Sequence, residues 1–388
     1  MDHAATTPTR TEVTEAMLPY MATHFGNPSS LYSIASDSRE AVEEAREKVA
    51  GALNSEPSEI FFTSGGTESD NWAIKGVAFA NRNKGNHIIT STIEHHAVLH
   101  TCEWLEKVGF SVTYLPVDSY GMVNPGELED AIREDTILIS IMYANNEIGT
   151  IQPVREIGNV ASEHGIPFHC DAVQATGHIP VDLKETNIDL FSISGHKFHG
   201  PKGTGALYIR KGVRLDPLMH GGAQEARKRA GTENVPGIVG LAKALELAVK
   251  EMPQSSGRIS ALRDRMISGI LEIPYSRLNG HPTERLPNNV NVAFEFIEGE
   301  SILVMLNSNG ICASTGSACS SSSHQPSHVL TACGIPPEKA HGSLRLTLGD
   351  GNSDGDVDYV IETLPGIVKR LREISPLTPK ELQGGDNV

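Results

Sequence analysis

Short runs of β-branched and aromatic residues recur through the first half of the chain, each bounded by turn residues and separated by stretches with apolar positions at helical spacing. The runs are 59–63, 87–90, 111–115, 136–141, 167–171 and 190–194. Between them, 69–81, 97–108, 125–133 and 154–164 read as helices, and 36–53 reads as an amphipathic helix ahead of the first run. Apolar strands alternating with helices at this period predict an α/β fold, a mostly parallel sheet covered on both faces. Beyond Gly240 the rhythm changes. Residues 241–250 and 258–271 read as two helices, followed by strands around 289–294 and 343–348. We expect an N-terminal arm over residues 1–15 packing with the smaller domain, a large domain over 16–250 and a small domain over 251–388. The stretch 377–388 is polar and reads as a frayed tail, and the chain shows no internal repeat.

Length supports the two-domain division, since 388 residues exceed what one hydrophobic core holds. Charge narrows the partners: 32 Lys and Arg against 48 Asp and Glu give a net charge of -16, which repels a phosphate backbone and argues against nucleic acid. No run of 18 apolar residues suggests a membrane span, and Met1 to Pro8 lacks the basic-then-apolar order of a secretory signal, so a cytoplasmic location is expected. Cys102, Cys170, Cys312, Cys319 and Cys333 are odd in number and contain no C-x-x-C pair. They read as reduced thiols, one of them reactive, rather than a disulfide framework or a structural zinc site.

Four segments carry candidate chemistry. Ser194-Gly195-His196-Lys197 ends a predicted strand and runs into a Gly-rich stretch. A lysine among small residues at a strand end suits a Schiff base, while a plain Gly-rich turn with solvated lysines is the alternative. Asp171 closes the strand before Ala172-Val173-Gln174. It could face a protonated ring nitrogen or simply cap the next helix, and Gln174 could reach a ring hydroxyl or stay on the surface. Thr63-Ser64-Gly65-Gly66-Thr67-Glu68 turns a strand into a helix, where backbone N–H groups and the helix dipole can cradle phosphate or merely start a helix. Cys319 lies in Gly316-Ser317-Ala318-Cys319-Ser320-Ser321-Ser322-Ser323, which fits either a mobile nucleophilic thiol or a flexible linker with an incidental cysteine. Arg345 sits in an apolar alternating run, an unattractive place for a surface charge. His95 and His96 are adjacent, and neighbouring residues project differently, which argues against a metal pair.

Taken together, Ala5-Thr6-Thr7-Pro8, Ser64 to Ser69, Glu94-His95-His96-Ala97-Val98, Asn145-Asn146-Glu147-Ile148-Gly149, Asp171 to Gln174, Ser194 to Lys197, Gly231-Thr232, Gly316 to Cys319 and Arg345 resemble the NifS/IscS cysteine desulfurases, within the class-V group of fold-type I pyridoxal 5′-phosphate (PLP) enzymes. The resemblance runs over nearly the whole chain. It implies a mostly parallel seven-stranded sheet in a large domain and a smaller α+β domain carrying a catalytic loop at about 312–328. It implies Lys197 as the Schiff-base lysine, His95 stacked on the cofactor ring, Asp171 on the pyridine nitrogen, and Asn146 and Gln174 on the cofactor's polar edge. Gly66, Thr67, Ser194 and His196 would hold the phosphate, joined by Thr232 from the second subunit of a homodimer. Arg345, with Asn146, would take the carboxylate of L-cysteine, and Cys319 would receive its sulfur as a persulfide. The resemblance further implies sulfur delivery to an iron–sulfur scaffold protein, with Cys319 as a transient cluster ligand through its persulfide. Two departures accompany it. The strand that precedes Ala5-Thr6-Thr7-Pro8 in the family is expected to be largely missing, and Ser320 to Ser323 stand where the family often has Ser-Gly, in a loop whose length resembles the group that hands sulfur directly to a scaffold. On the same scaffold the alternative activities are a selenocysteine lyase or another PLP lyase. A non-catalytic scaffold using Cys312, Cys319 and Cys333 would have no need of Lys197 and Asp171.

Overall fold

The structure, a computed structural model, describes residues 1–315 and 326–380; Cys319 and Ser320 to Ser323 lie outside the described residues, as does the end of the expected tail. Ten strands are present among them: β1 Ile60–Thr63, β2 His87–Ser91, β3 Ser111–Leu115, β4 Thr136–Ser140, β5 Phe168–Asp171, β6 Leu190–Ser194, β7 Gly205–Ile209, β8 Ser276–Leu278, β9 Asn289–Phe294 and β10 Ser343–Thr347. The helices are α1 Thr11–Met17, α2 Pro19–Ala22, α3 Ile34–Leu53, α4 Gly66–Ala80, α5 His96–Lys107, α6 Pro125–Asp130, α7 Val154–Glu163, α8 Val235–Leu271, α9 Gly299–Ser308, α10 His328–Ala332, α11 Pro337–Ala340 and α12 Asp354–Ile374. No helix of the described residues is long and apolar enough to cross a membrane.

The first seven strands form one sheet in the order β1-β7-β6-β5-β4-β2-β3. It is the mostly parallel sheet the alternation predicts: β2 to β6 pair parallel, and β7 alone runs against its neighbours β1 and β6. Successive strand residues bury on opposite faces. Phe62, Ile139, Phe168, Phe191 and Ala206 face a cluster with α3 and α8, while Phe61, Leu138, Leu190 and Leu207 face Trp72, Ile74 and Val77 of α4. A second core lies around the antiparallel sheet β10-β9-β8, where Val290, Val292, Phe294, Leu344 and Leu346 meet Ile259, Met266 and Val360.

Two expectations about the elements fail. The helices expected at 241–250 and 258–271 are one helix, α8, 37 residues long with Pro253 inside it. Proline removes one backbone donor. The helix survives because Leu241 and Leu245 are buried in the first core and Ile259, Leu262 and Met266 in the second, so tertiary burial on both sides of Pro253 overrides the local break. Strand β7 was hidden by the glycines that precede it, since Gly200 to Gly205 reads as a turn although Ala206 to Ile209 are all buried. The N-terminal segment laces between the two sheets. Asp2 makes an isolated parallel bridge to Thr347, the Ala4 N–H donates to Thr347 Oγ1 at 2.9 Å, and the Thr7 N–H donates to the His196 carbonyl at 3.0 Å.

Candidate active site

Six strands of the large sheet point the same way, and their C-terminal ends deliver the candidate residues to one place, as expected of an open α/β sheet. Asp171 ends β5, Ser194 ends β6, and a short 3-10 turn, Gly195–Lys197, carries His196 and Lys197 past it. The β1 turn leads through Gly65 and Gly66 into α4, and the chain after β4 brings in Asn146. His95 precedes α5 as its N-cap. These residues line a cavity of about 350 Å³ with Gly66, Thr67, Gln174 and Arg345.

Gly66 is fixed by space. A Cβ there would stand 2.6 Å from Val173 Cγ2 and 3.6 Å from Ser194 Cβ, so any side chain would fill the cavity wall. Among the described residues the Gly66 and Thr67 N–H groups find no partner, as first-turn amides have no intrahelical acceptor. An adjoining cavity shares Gly66, Thr67, Ser194 and His196 with the first and adds Thr6 and Lys202. A helix N-terminus with free amides, a serine and a lysine nearby is a fit for a phosphate group.

The floor of the cavity is acidic and buried. Burial pushes the Asp171 carboxyl up, opposed by the Val173 N–H donating to Oδ1 at 3.0 Å and by the Lys197 charge. Asp70, one helical turn beyond Gly66, also lines the cavity; burial and then the Asp171 charge hold its carboxyl well above the usual range. Its Oδ1 has no hydrogen-bond partner and lies 3.6 Å from His169 Nε2. His169 is held between Ser140 Oγ at 2.8 Å and Ser192 Oγ at 3.0 Å, and burial lowers it to about 3, so it brings no positive charge. Burial likewise pushes Glu94 up to about 8, although Ser91 Oγ and the Met142 N–H both donate to its Oε1. A cationic ring nitrogen would suit such a floor.

Burial first, then the Lys197 charge, lowers His95 to about 4, so it is neutral near pH 7. Its Nδ1 accepts from the Ala97 N–H at 3.1 Å, which assigns the ring proton to Nε2. The Lys197 ammonium donates to the carbonyls of Ala4 at 2.6 Å and Ala5 at 3.0 Å, and Gln174 Nε2 donates to the same Ala4 carbonyl at 3.1 Å.

The opposite wall comes from the second core. Arg345, in the middle of β10 and 3% exposed, donates through NH1 to the Asn146 carbonyl at 3.0 Å and through NH2 to Asp2 Oδ1 at 2.9 Å, while its buried Nε has no partner. A side-chain carboxylate already rests on the fork. Thr232 is exposed and lies outside the cavity of its own chain. Asp70 and the Ala4 and Ala5 carbonyls were missed in the sequence. The four-residue spacing from Gly66 to Asp70 on one helix face was the available signal for Asp70. Of the other thiols, Cys102, Cys170 and Cys333 are buried and Cys312 is exposed, all four of them free.

The residues present fit pyridoxal 5′-phosphate: free amides at a helix start, a buried carboxylate, and a lysine at the cavity wall. Comparison with known proteins identifies the family. The model of the class-V aminotransferase family matches residues 1–360. A cysteine desulfurase IscS of Methanosarcina thermophila is 69% identical over 381 residues, 98% of this chain and 94% of that protein. Among solved structures, a NifS-like protein superposes with a TM-score of 0.90 at 42% identity, covering 95% of this chain and 99% of its own. A structure of SspA in complex with cysteine superposes with a TM-score of 0.80 at 42% identity, over 89% of this chain and 97% of that one.

Proposed function

The chain belongs to the class-V aminotransferase family, among its cysteine desulfurases, and from that premise we propose that it removes the sulfur of L-cysteine, giving L-alanine and a persulfide on Cys319. One observation carries the assignment of the site: the cavity brings the Lys197 amine, the buried Asp171 carboxylate and the Arg345 fork to a single space. Gly66, Thr67, Ser194 and His196 would hold the phosphate of pyridoxal 5′-phosphate, with Thr232 of the second protomer of a homodimer. Asp171 would pair with the ring nitrogen, and His95, Asn146 and Gln174 would meet the ring and its polar edge. Bound there, the cofactor supplies an electron sink for the charge that develops at the substrate Cα.

The chain's own groups supply the rest. Arg345 receives the substrate carboxylate in place of Asp2, a two-pronged recognition that fixes Cα. The Lys197 amine takes the α-proton as a general base and returns a proton later. His95 carries its proton on Nε2 and therefore acts first as a donor. The Cys319 thiolate attacks the substrate sulfur: the new S–S bond forms, the substrate C–S bond breaks, and its electron pair is protonated at Cβ to give alanine. Persulfide sulfur then passes to an acceptor, for which we propose an iron–sulfur scaffold protein.

Cysteine addition to the holoenzyme should shift the visible cofactor band and release one alanine per persulfide formed. Cys319→Ala should keep the band and its shift while abolishing the persulfide. Catalytic sulfur release by that variant would overturn the assignment.

A further inference from the structure

The tripeptide Asn145-Asn146-Glu147 follows β4 and ties the two walls of the cavity together. The Asn146 carbonyl accepts from Arg345, and the Glu147 carbonyl accepts from Asn289 Nδ2 at 3.1 Å and Asn291 Nδ2 at 2.9 Å, both on β9. The Asn145 side chain accepts the Glu147 and Ile148 N–H groups, so the backbone here is held from both sides. The Glu147 side chain has no part in the chemistry above, yet it is 3% exposed and its Oε2 accepts from Ser327 Oγ at 2.5 Å. A hydrogen bond between buried groups is costly to leave unmade. Burial pushes the Glu147 carboxyl up, against the pull of the Ser327 hydroxyl, the Arg345 charge and His96.

Ser327 is the N-cap of α10, its Oγ accepting from the Leu330 N–H at 3.2 Å, and Val329 and Leu330 bury beside Ile93, Met142 and Ile148. In the sequence, Ser327 comes eight residues after Cys319. On the other side, Ser314 comes five residues before it and exchanges backbone bonds with Arg345, Ser314 N to Arg345 O at 3.1 Å and Arg345 N to Ser314 O at 2.6 Å. The Thr315 carbonyl accepts from Ser343 Oγ at 3.0 Å. Both described flanks of the cysteine segment are therefore fastened to the substrate-carboxylate machinery: one to Arg345 itself, the other through Ser327 to the residue next to Asn146. A capping contact serving only the stability of α10 would need neither a buried carboxylate nor this location.

We propose that Glu147 is a positioning residue for sulfur transfer, fixing through Ser327 the second flank of the cysteine segment relative to Arg345, and hence where the Cys319 thiol meets the substrate sulfur. This rests on the assignment of Cys319 as the sulfur acceptor. The test is single-turnover persulfide formation in holoenzyme, with the cofactor band, its response to L-cysteine and the KM followed in parallel. Glu147→Ala and Ser327→Ala should each slow persulfide formation by about tenfold or more, the cost of a misplaced reacting group. Together they should cost little more than either alone, because they break one contact. Glu147→Gln keeps an acceptor oxygen and should stay within about threefold of the parent. The cofactor band and KM should not move. The proposal is overturned if Ser327→Ala or Glu147→Ala forms persulfide at the parent rate, or if the variants lose cofactor and cysteine binding in step with the rate. Should Glu147→Ala fail to fold, Ser327→Ala and Glu147→Gln decide the matter alone. A parent protein that forms no persulfide would instead refute the assignment of Cys319.

Discussion

The two walls of the cavity are made by different secondary structure and do different work. The floor gathers the ends of parallel strands with the start of α4, and places Asp171 and Asp70, with the buried Glu94 behind them, in a space whose nearest imidazole is neutral. The facing wall offers Arg345 from the middle of an antiparallel strand, its neighbours paired on both sides. Strand ends leave backbone groups and carboxylates open to a ligand, so the floor governs protonation. A mid-strand arginine has a fixed fork, so the facing wall reads shape and charge.

That contrast predicts separable defects. Arg345→Lys should raise the KM for L-cysteine by about 30- to 100-fold, because a point charge replaces a fork, with the cofactor band unchanged. Loss of cofactor in that variant would erase the distinction between the walls. Next comes the floor. Glu94 titrates at about 8 in the folded chain against 4.5 when exposed, so between those values the native state holds a proton that the unfolded chain has released. Stability therefore falls as pH rises through that window. Glu94→Gln should reduce the slope, Asp70 and Asp171 keeping a share of it, and stabilise the protein by about 2 kcal/mol at pH 8, read from denaturant midpoints at pH 5 and pH 8. An unchanged slope would show that another group carries it. The smallest effect is expected at Asp2, which is partly exposed. Asp2→Asn should lower the KM by about threefold, because an exposed carboxylate that competes with substrate for Arg345 is worth little.

The same contrast explains what could be read from the sequence. Parallel strands announced themselves as apolar runs, and Lys197, Asp171 and Gly66 stood at their ends, where chemistry is concentrated in such sheets. Arg345 was legible because a charge in an apolar alternation is anomalous. Asp70 was not, since its neighbours Ser69 and Asn71 make it look like an ordinary polar helix start, and only folding shows it buried at 1% exposure. The Ala4 and Ala5 carbonyls that hold Lys197 carry no side-chain signal at all. Glu147 stood in the Asn145 to Gly149 motif with no role of its own, because its partner is 180 residues away.

Helix α8 gives the molecule one more property. At 1.5 Å per residue its 37 residues extend about 55 Å, and its two halves belong to different hydrophobic cores. Neither core can melt without stripping apolar contacts from a rod the other still holds, so heat should disassemble the chain in one calorimetric transition with no half-melted species. Amide exchange along the rod should accordingly be slow at both ends and fastest near Pro253, where a backbone bond is missing.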